Sequence, residues 1–149
     1  MKYRIHLTLL AITLPLHAGP LFLADNVSRM ELKEEERKGF DYVEKDQATK
    51  RMRVIRINES ALFSESIEVE LFGGQVAKFP LRRLEKEGRW KGEDRNNRMS
   101  IRKISGGRFS GYVYFGGHIY SLTPLSKGRS ILSHRESKFA CGTEGRGHK

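Results

Sequence analysis

From Arg51 onward the chain alternates apolar and polar residues with a period of two, and pairs of glycines punctuate the alternation. A period of two belongs to an extended strand whose successive side chains point to opposite faces, so each run offers one face to a core and one to solvent. In Arg53-Val54-Ile55-Arg56-Ile57 the residues Ile55 and Ile57 share a face; in the next run Ile67, Val69 and Leu71 oppose Ser66, Glu68 and Glu70. Gly73-Gly74 then separates Leu71-Phe72 from Gln75-Val76-Ala77-Lys78-Phe79. Glycine reaches the positive φ that two-residue hairpin turns require, so this predicts a hairpin. Pro80 is expected to end the pairing or confine it to a sheet edge, because it has no amide proton to donate. A second hairpin sets Phe109, Gly111, Val113 and Phe115 against Ser110, Tyr112 and Tyr114, and Gly116-Gly117 turns the chain into His118-Ile119-Tyr120-Ser121-Leu122. Met99 to Ile104, closed by Ser105-Gly106-Gly107, and Ser130-Ile131-Leu132 supply further strands. Short strands at this spacing predict a mainly β domain over residues 51–137, an antiparallel meander that is sandwich-like or a partly open barrel. The glycine pairs are turn chemistry, and no βαβ crossover or nucleotide-binding glycine fingerprint is present.

The residues before this domain differ in character. Met1 to Ala18 opens with Lys2 and Arg4, continues with an apolar run from Ile5 to Leu16, and ends on Leu16-His17-Ala18, the pattern of a secretory signal. The run is shorter than the ~20 residues a bilayer-spanning helix needs. Cleavage is expected after Ala18, or as late as Ala24, since Leu21-Phe22-Leu23-Ala24 extends the apolar stretch. The expected location is therefore secreted or periplasmic, with membrane association only if this segment is retained. Residues 25–50 are dense in charge, with Glu31 and Lys33 to Lys38 in one run, and are expected to be partly helical or flexible. Residues 138–149 read as a flexible polar tail.

Charge is unevenly spread. Residues 25–80 hold 10 basic and 12 acidic groups, whereas residues 81–125 hold 10 basic and 4 acidic, a local balance of +6. Arg82, Arg83, Lys86, Arg89, Lys91, Arg95, Arg98, Arg102 and Lys103 form this basic cluster, which serves either as a soluble surface or to steer an acidic partner. Nucleic acid is not the expected partner of an exported protein.

Little in the chain supports chemistry of its own. At 149 residues it has room for one modest core, too small for most cofactor folds, and no cofactor is expected. Its single cysteine excludes an internal disulfide and any multi-cysteine zinc site. No two of the five histidines stand at i, i+2 or i, i+4, so no metal site of its own is expected, and no Gly-x-Ser-x-Gly frames a serine. Trp90, between Arg89 and Lys91, is expected to pack in the core with its indole N–H satisfied, or else to be a partner contact together with Arg89, Lys91 and Arg95.

The order of features from Arg53 to Cys141 resembles the propeptide region of reprolysin-type zinc endopeptidases, a group of metzincins. The resemblance rests on Val54-Ile55-Arg56-Ile57-Asn58, on Ile67 to Gly74, on Trp90-Lys91-Gly92 and on Met99-Ser100-Ile101. It continues through Gly111-Tyr112-Val113, Gly116-Gly117-His118-Ile119-Tyr120 and Leu122-Thr123-Pro124. It implies a β-rich, non-catalytic module that keeps a zinc metalloendopeptidase inactive or helps it fold, the partner here acting in trans. It also implies that Cys141 stands where a propeptide thiolate ligates the partner's catalytic zinc, in the position a water otherwise holds. The chain departs from the family in having no His-Glu-x-x-His and in ending where a protease domain would start. The rival expectations are a basic, envelope-associated β module for anionic polymers or lipid, and a truncated protease-precursor remnant.

Overall fold

The computed structural model describes residues 19–136. Among the described residues nine antiparallel strands form one sheet. They are β1 (Phe22–Ala24), β2 (Thr49–Ile57), β3 (Ser66–Glu70), β4 (Val76–Leu84), β5 (Arg89–Asp94), β6 (Asn97–Ile104), β7 (Arg108–Phe115), β8 (His118–Ser126) and β9 (Arg129–Arg135). Strands β3 to β9 run as a meander, and β2 adds beside β9, giving the order β1-β2-β9-β8-β7-β6-β5-β4-β3. The two ends of that order meet: the Leu21 amide, just ahead of β1, donates to the Glu68 carbonyl on β3 at 2.8 Å. The sheet is thereby a nearly closed barrel, the mainly β architecture the alternation predicts.

The turns form where the glycine pairs stand. Gly116 and Gly117 take φ of 59° and 82° between β7 and β8, the positive values a tight hairpin needs. The ladder with β3 ends at Ser66↔Pro80, with one further bond from the Leu81 amide to the Glu65 carbonyl at 2.8 Å, and from Leu81 onward β4 pairs with β5. The residue without an amide proton therefore sits where one strand changes partners.

Inside the barrel lie Ile55, Ile67, Phe79, Ile101, Phe109 and Leu132, with Leu21 and Phe22 equally buried. Leu21 to Ala24 is thus core and edge strand, and a processing site after Ala24 would remove buried side chains. The folded unit also begins earlier than Arg51. Helix α1 (Glu34–Lys45) contacts β2, β8 and β9. Gly39 allows this approach, since a Cβ there would stand 2.9 Å from Leu125.

The charged segment 25–50 is tied down by ions. Arg129 on β9 donates through Nε to Asp25 at 2.9 Å and through Nη1 to Glu36 of α1 at 3.0 and 3.2 Å. Ser126 donates to Glu36 at 2.5 Å, and Arg56 meets Asp25 at 3.1 Å. Burial opposes ionisation of Glu36, but the Ser126 hydroxyl, the Lys33 amide and the Arg129 guanidinium outweigh it and hold the carboxyl below its ordinary range. The expected signal segment 1–18, the expected tail 138–149 and Cys141 lie outside the described residues.

Candidate functional site

Two surfaces gather functional side chains. The first is the outer face of β4, β5 and β6. Because Trp90, Ile101 and Val113 point inward, their strand neighbours point out, and the register aligns these into rows. One row runs Arg82, Lys91, Ser100, Tyr112; the next runs Leu84, Arg89, Arg102, Ser110. Arg82 thus stands directly opposite Lys91, and Arg89 directly opposite Arg102. Cross-strand neighbours lie within reach of one another, so each pair is a like-charge contact that costs stability. Arg89 has Glu87 at 3.4 Å, but among the described residues no carboxylate pairs with Arg82, Lys91 or Arg102. Arg98 lies 5.5 Å over the Tyr114 ring, and Tyr112 beside it is 43% exposed. A cavity of about 280 Å³ opens on this face between Pro80, Leu81, Arg82, Lys91 and Glu93.

The residues singled out by sequence divide accordingly. Arg89 and Lys91 lie on this face, and exposed Arg95 lies at the tip of the β5–β6 hairpin with φ of 53°. Trp90 does not join them. It is 9% exposed, its ring 6.3 Å from Phe109, and it packs in the core. Its indole nitrogen is buried with no hydrogen-bond partner among the described residues, contrary to the expected satisfied N–H. The other motif residues have packing roles. Gly92 lies against Phe79, and Gly111 lies so close to β6 that a Cβ would come 2.1 Å from the Ser100 oxygen. Val113 is core, Gly116 and Gly117 turn the chain, and Pro124 pairs with Ser130 ahead of a bulge in β8.

The second surface is one mouth of the barrel. Arg51, His134, Tyr120 and Val113 stand in one cross-strand row, and the first three cap the interior at its end. The β2–β9 register shifts between Thr49 and Arg51, so Lys50 is a bulged extra residue beside Arg51. His134 Nε2 and His118 Nδ1 are 3.1 Å apart, with their rings nearly perpendicular. Tyr120 stacks on His134 at 5.1 Å and on Phe72 at 6.3 Å, and its hydroxyl donates to Gln75 Oε1 at 3.2 Å. These side chains line an open pocket of about 370 Å³, and none of its lining residues is acidic. Burial, then the charges of His118 and Arg51, lowers the His134 pKa; burial raises that of Tyr120. Among the described residues no three His, Cys, Asp or Glu side chains gather into a metal site.

The histidine pair was not apparent from sequence, where sixteen residues separate its members. The signal lies in the hairpin: a turn at Lys127-Gly128 brings Tyr120 opposite His134 and leaves His118 one step along the diagonal.

No protein-family model, curated protein or solved structure matches this chain.

Proposed function

We propose that this chain is an exported, non-catalytic binding module whose β4–β6 face docks on an acidic protein surface, and that the partner is a zinc metalloendopeptidase it keeps inactive. The observation that carries the docking face is the pair of like-charge contacts, Arg82 with Lys91 and Arg89 with Arg102. A sheet that sets cations against cations loses stability for itself and gains only when an acidic surface supplies the counter-charge. The identity of the partner rests on the resemblance of residues 53–141 to reprolysin propeptides. In that scheme the tail carries Cys141 to the partner's zinc, where a thiolate occupies the position of the attacking water.

The test is inhibition of a reprolysin-type catalytic domain by the full chain at low and physiological salt. Inhibition that weakens with salt and with Lys91→Glu/Arg102→Glu is expected, and Cys141→Ala is expected to weaken it further without altering the unfolding midpoint. No inhibition at any salt, joined to binding of anionic vesicles, would instead establish the envelope-associated module.

A further inference from the structure

We propose that the barrel mouth is a binding site for a doubly charged tetrahedral oxyanion, a sulfate or a phosphate ester, held by Arg51, Lys50 and the facing imidazoles of His118 and His134. The site is separate from the β4–β6 face and does not depend on the function assigned to that face.

The bulge supplies the first half of the site. In an unbulged strand Lys50 and Arg51 would point to opposite faces; with one extra residue in β2, both line the same cavity. The other charged groups packed around the mouth are already engaged. Arg53 donates to the Glu70 carbonyl at 2.8 Å and lies over Phe72, Arg135 meets Asp46 at 2.6 Å, and Glu136 is held by Lys50 at 3.0 Å. Arg51 alone has no ion pair or hydrogen bond among the described residues. An anion entering the cavity meets an unneutralised guanidinium and no lining carboxylate, with the Lys50 ammonium, already paired with Glu136, on its flank.

The imidazoles supply the second half. At 3.1 Å, His134 Nε2 and His118 Nδ1 share one proton, one ring donating and the other accepting. A further proton taken up at the outer nitrogen of the donating ring keeps that hydrogen bond, but the imidazolium it forms stands beside the Arg51 guanidinium. An oxyanion seated against the rings and Arg51 supplies the counter-charge, so binding favours uptake of a proton. Tyr120 fixes the Gln75 amide by donating to its oxygen, which leaves the Gln75 NH2 as the end available to a ligand. A metal cation is the poorer occupant: Arg51 and Lys50 repel it, and no third metal-type ligand joins the two histidines among the described residues.

The test follows the imidazole resonances of the full chain during titration with inorganic sulfate, and separately with phenyl phosphate. Sulfate keeps its charge between about pH 5.5 and 8, so any pH dependence of its affinity belongs to the protein. Both imidazole resonances are expected to move, and His134 to titrate at higher pH in saturating sulfate. The affinity is expected to strengthen by up to about tenfold for each unit that the pH falls, as one linked proton is taken up. Arg51→Gln is expected to weaken binding roughly tenfold or more, with Arg51→Lys retaining most of it, and urea midpoints report whether each variant is folded. Tighter binding of phenyl phosphate than of sulfate identifies a phosphate ester as the natural class; the reverse identifies sulfate. Imidazoles unmoved by either anion, an affinity indifferent to pH and to Arg51→Gln, or a response to zinc alone would overturn the proposal.

Discussion

Replacing Arg129 with Met tests what ties the charged amino-terminal segment to the barrel. The Arg129 side chain is 17% exposed and its carboxylate partners Asp25 and Glu36 are 11% and 4% exposed, so the substitution strands two buried anions. Breaking a buried pair by removing one partner costs about 3–5 kcal/mol. Asp25 keeps Arg56 at 3.1 Å, and Glu36 keeps the Ser126 hydroxyl and the Lys33 amide, which puts the cost near the lower end, about 3 kcal/mol. Urea denaturation followed by Trp90 fluorescence should show the midpoint falling by roughly 1–2 M. The pH dependence sharpens the test. In the native chain the Glu36 carboxyl is held below its ordinary range, so its contribution is fully present above the unfolded value of about 4.3 and is lost as pH falls through the folded value. Without Arg129 the carboxyl loses two of the influences that lower it while burial still opposes its ionisation, so it rises relative to the native chain. The variant then has less to lose on acidification, and its deficit should shrink as pH falls through about 4.3 and below. A cost below about 1 kcal/mol, or a deficit that grows on acidification, would refute the claim that these ions anchor α1.

Other consequences follow from particular contacts. Arg102→Glu converts the Arg89–Arg102 contact into an opposite-charge pair and should stabilise the chain by about 0.2–1 kcal/mol in urea titration while weakening partner binding. Gly111→Ala puts a methyl where the Ser100 oxygen leaves 2.1 Å, and should cost about 2–3 kcal/mol or more by the same assay. Phe22→Ala should cost about 3–5 kcal/mol, and mass spectrometry of the chain recovered from expressing cells should place its first residue ahead of Leu21. His134 should titrate below about 6.5, so its neutral form contributes stability above that pH that is lost on acidification; Arg51→Gln should raise its midpoint in an imidazole NMR titration.

The β architecture was legible because its two signals are local. Glycine pairs at 73–74, 106–107 and 116–117 reverse the chain, and alternation marks the inward residues of β3, β6 and β7. What stayed hidden is what joins distant residues. Strand β5 reads as charged surface, since Arg89, Lys91 and Glu93 face outward and only Trp90 and Gly92 face in. The pairing of β2 with β9 and the Leu21–Glu68 bond that brings the sheet ends together have no local signature. Leu21 and Phe22 resemble a continuation of the apolar leader, and only their burial separates them from it. Glu36 is the least expected core residue. An acidic side chain in a run of charges reads as solvated, and its burial becomes intelligible only with Arg129, 93 residues away. The basic cluster was visible as composition, but register decides which cations oppose one another, and the mouth needed both a hairpin register and a bulge.

Amide hydrogen exchange decides whether the β4–β6 face is a docking surface. It would be measured on the full chain alone and with an equimolar reprolysin-type catalytic domain at low ionic strength. Slowed exchange is expected in β4 beyond Pro80, in β5 and in β6, and Lys91→Glu/Arg102→Glu should abolish it. Unchanged exchange in those strands, or protection that survives the charge reversal, would contradict the assignment.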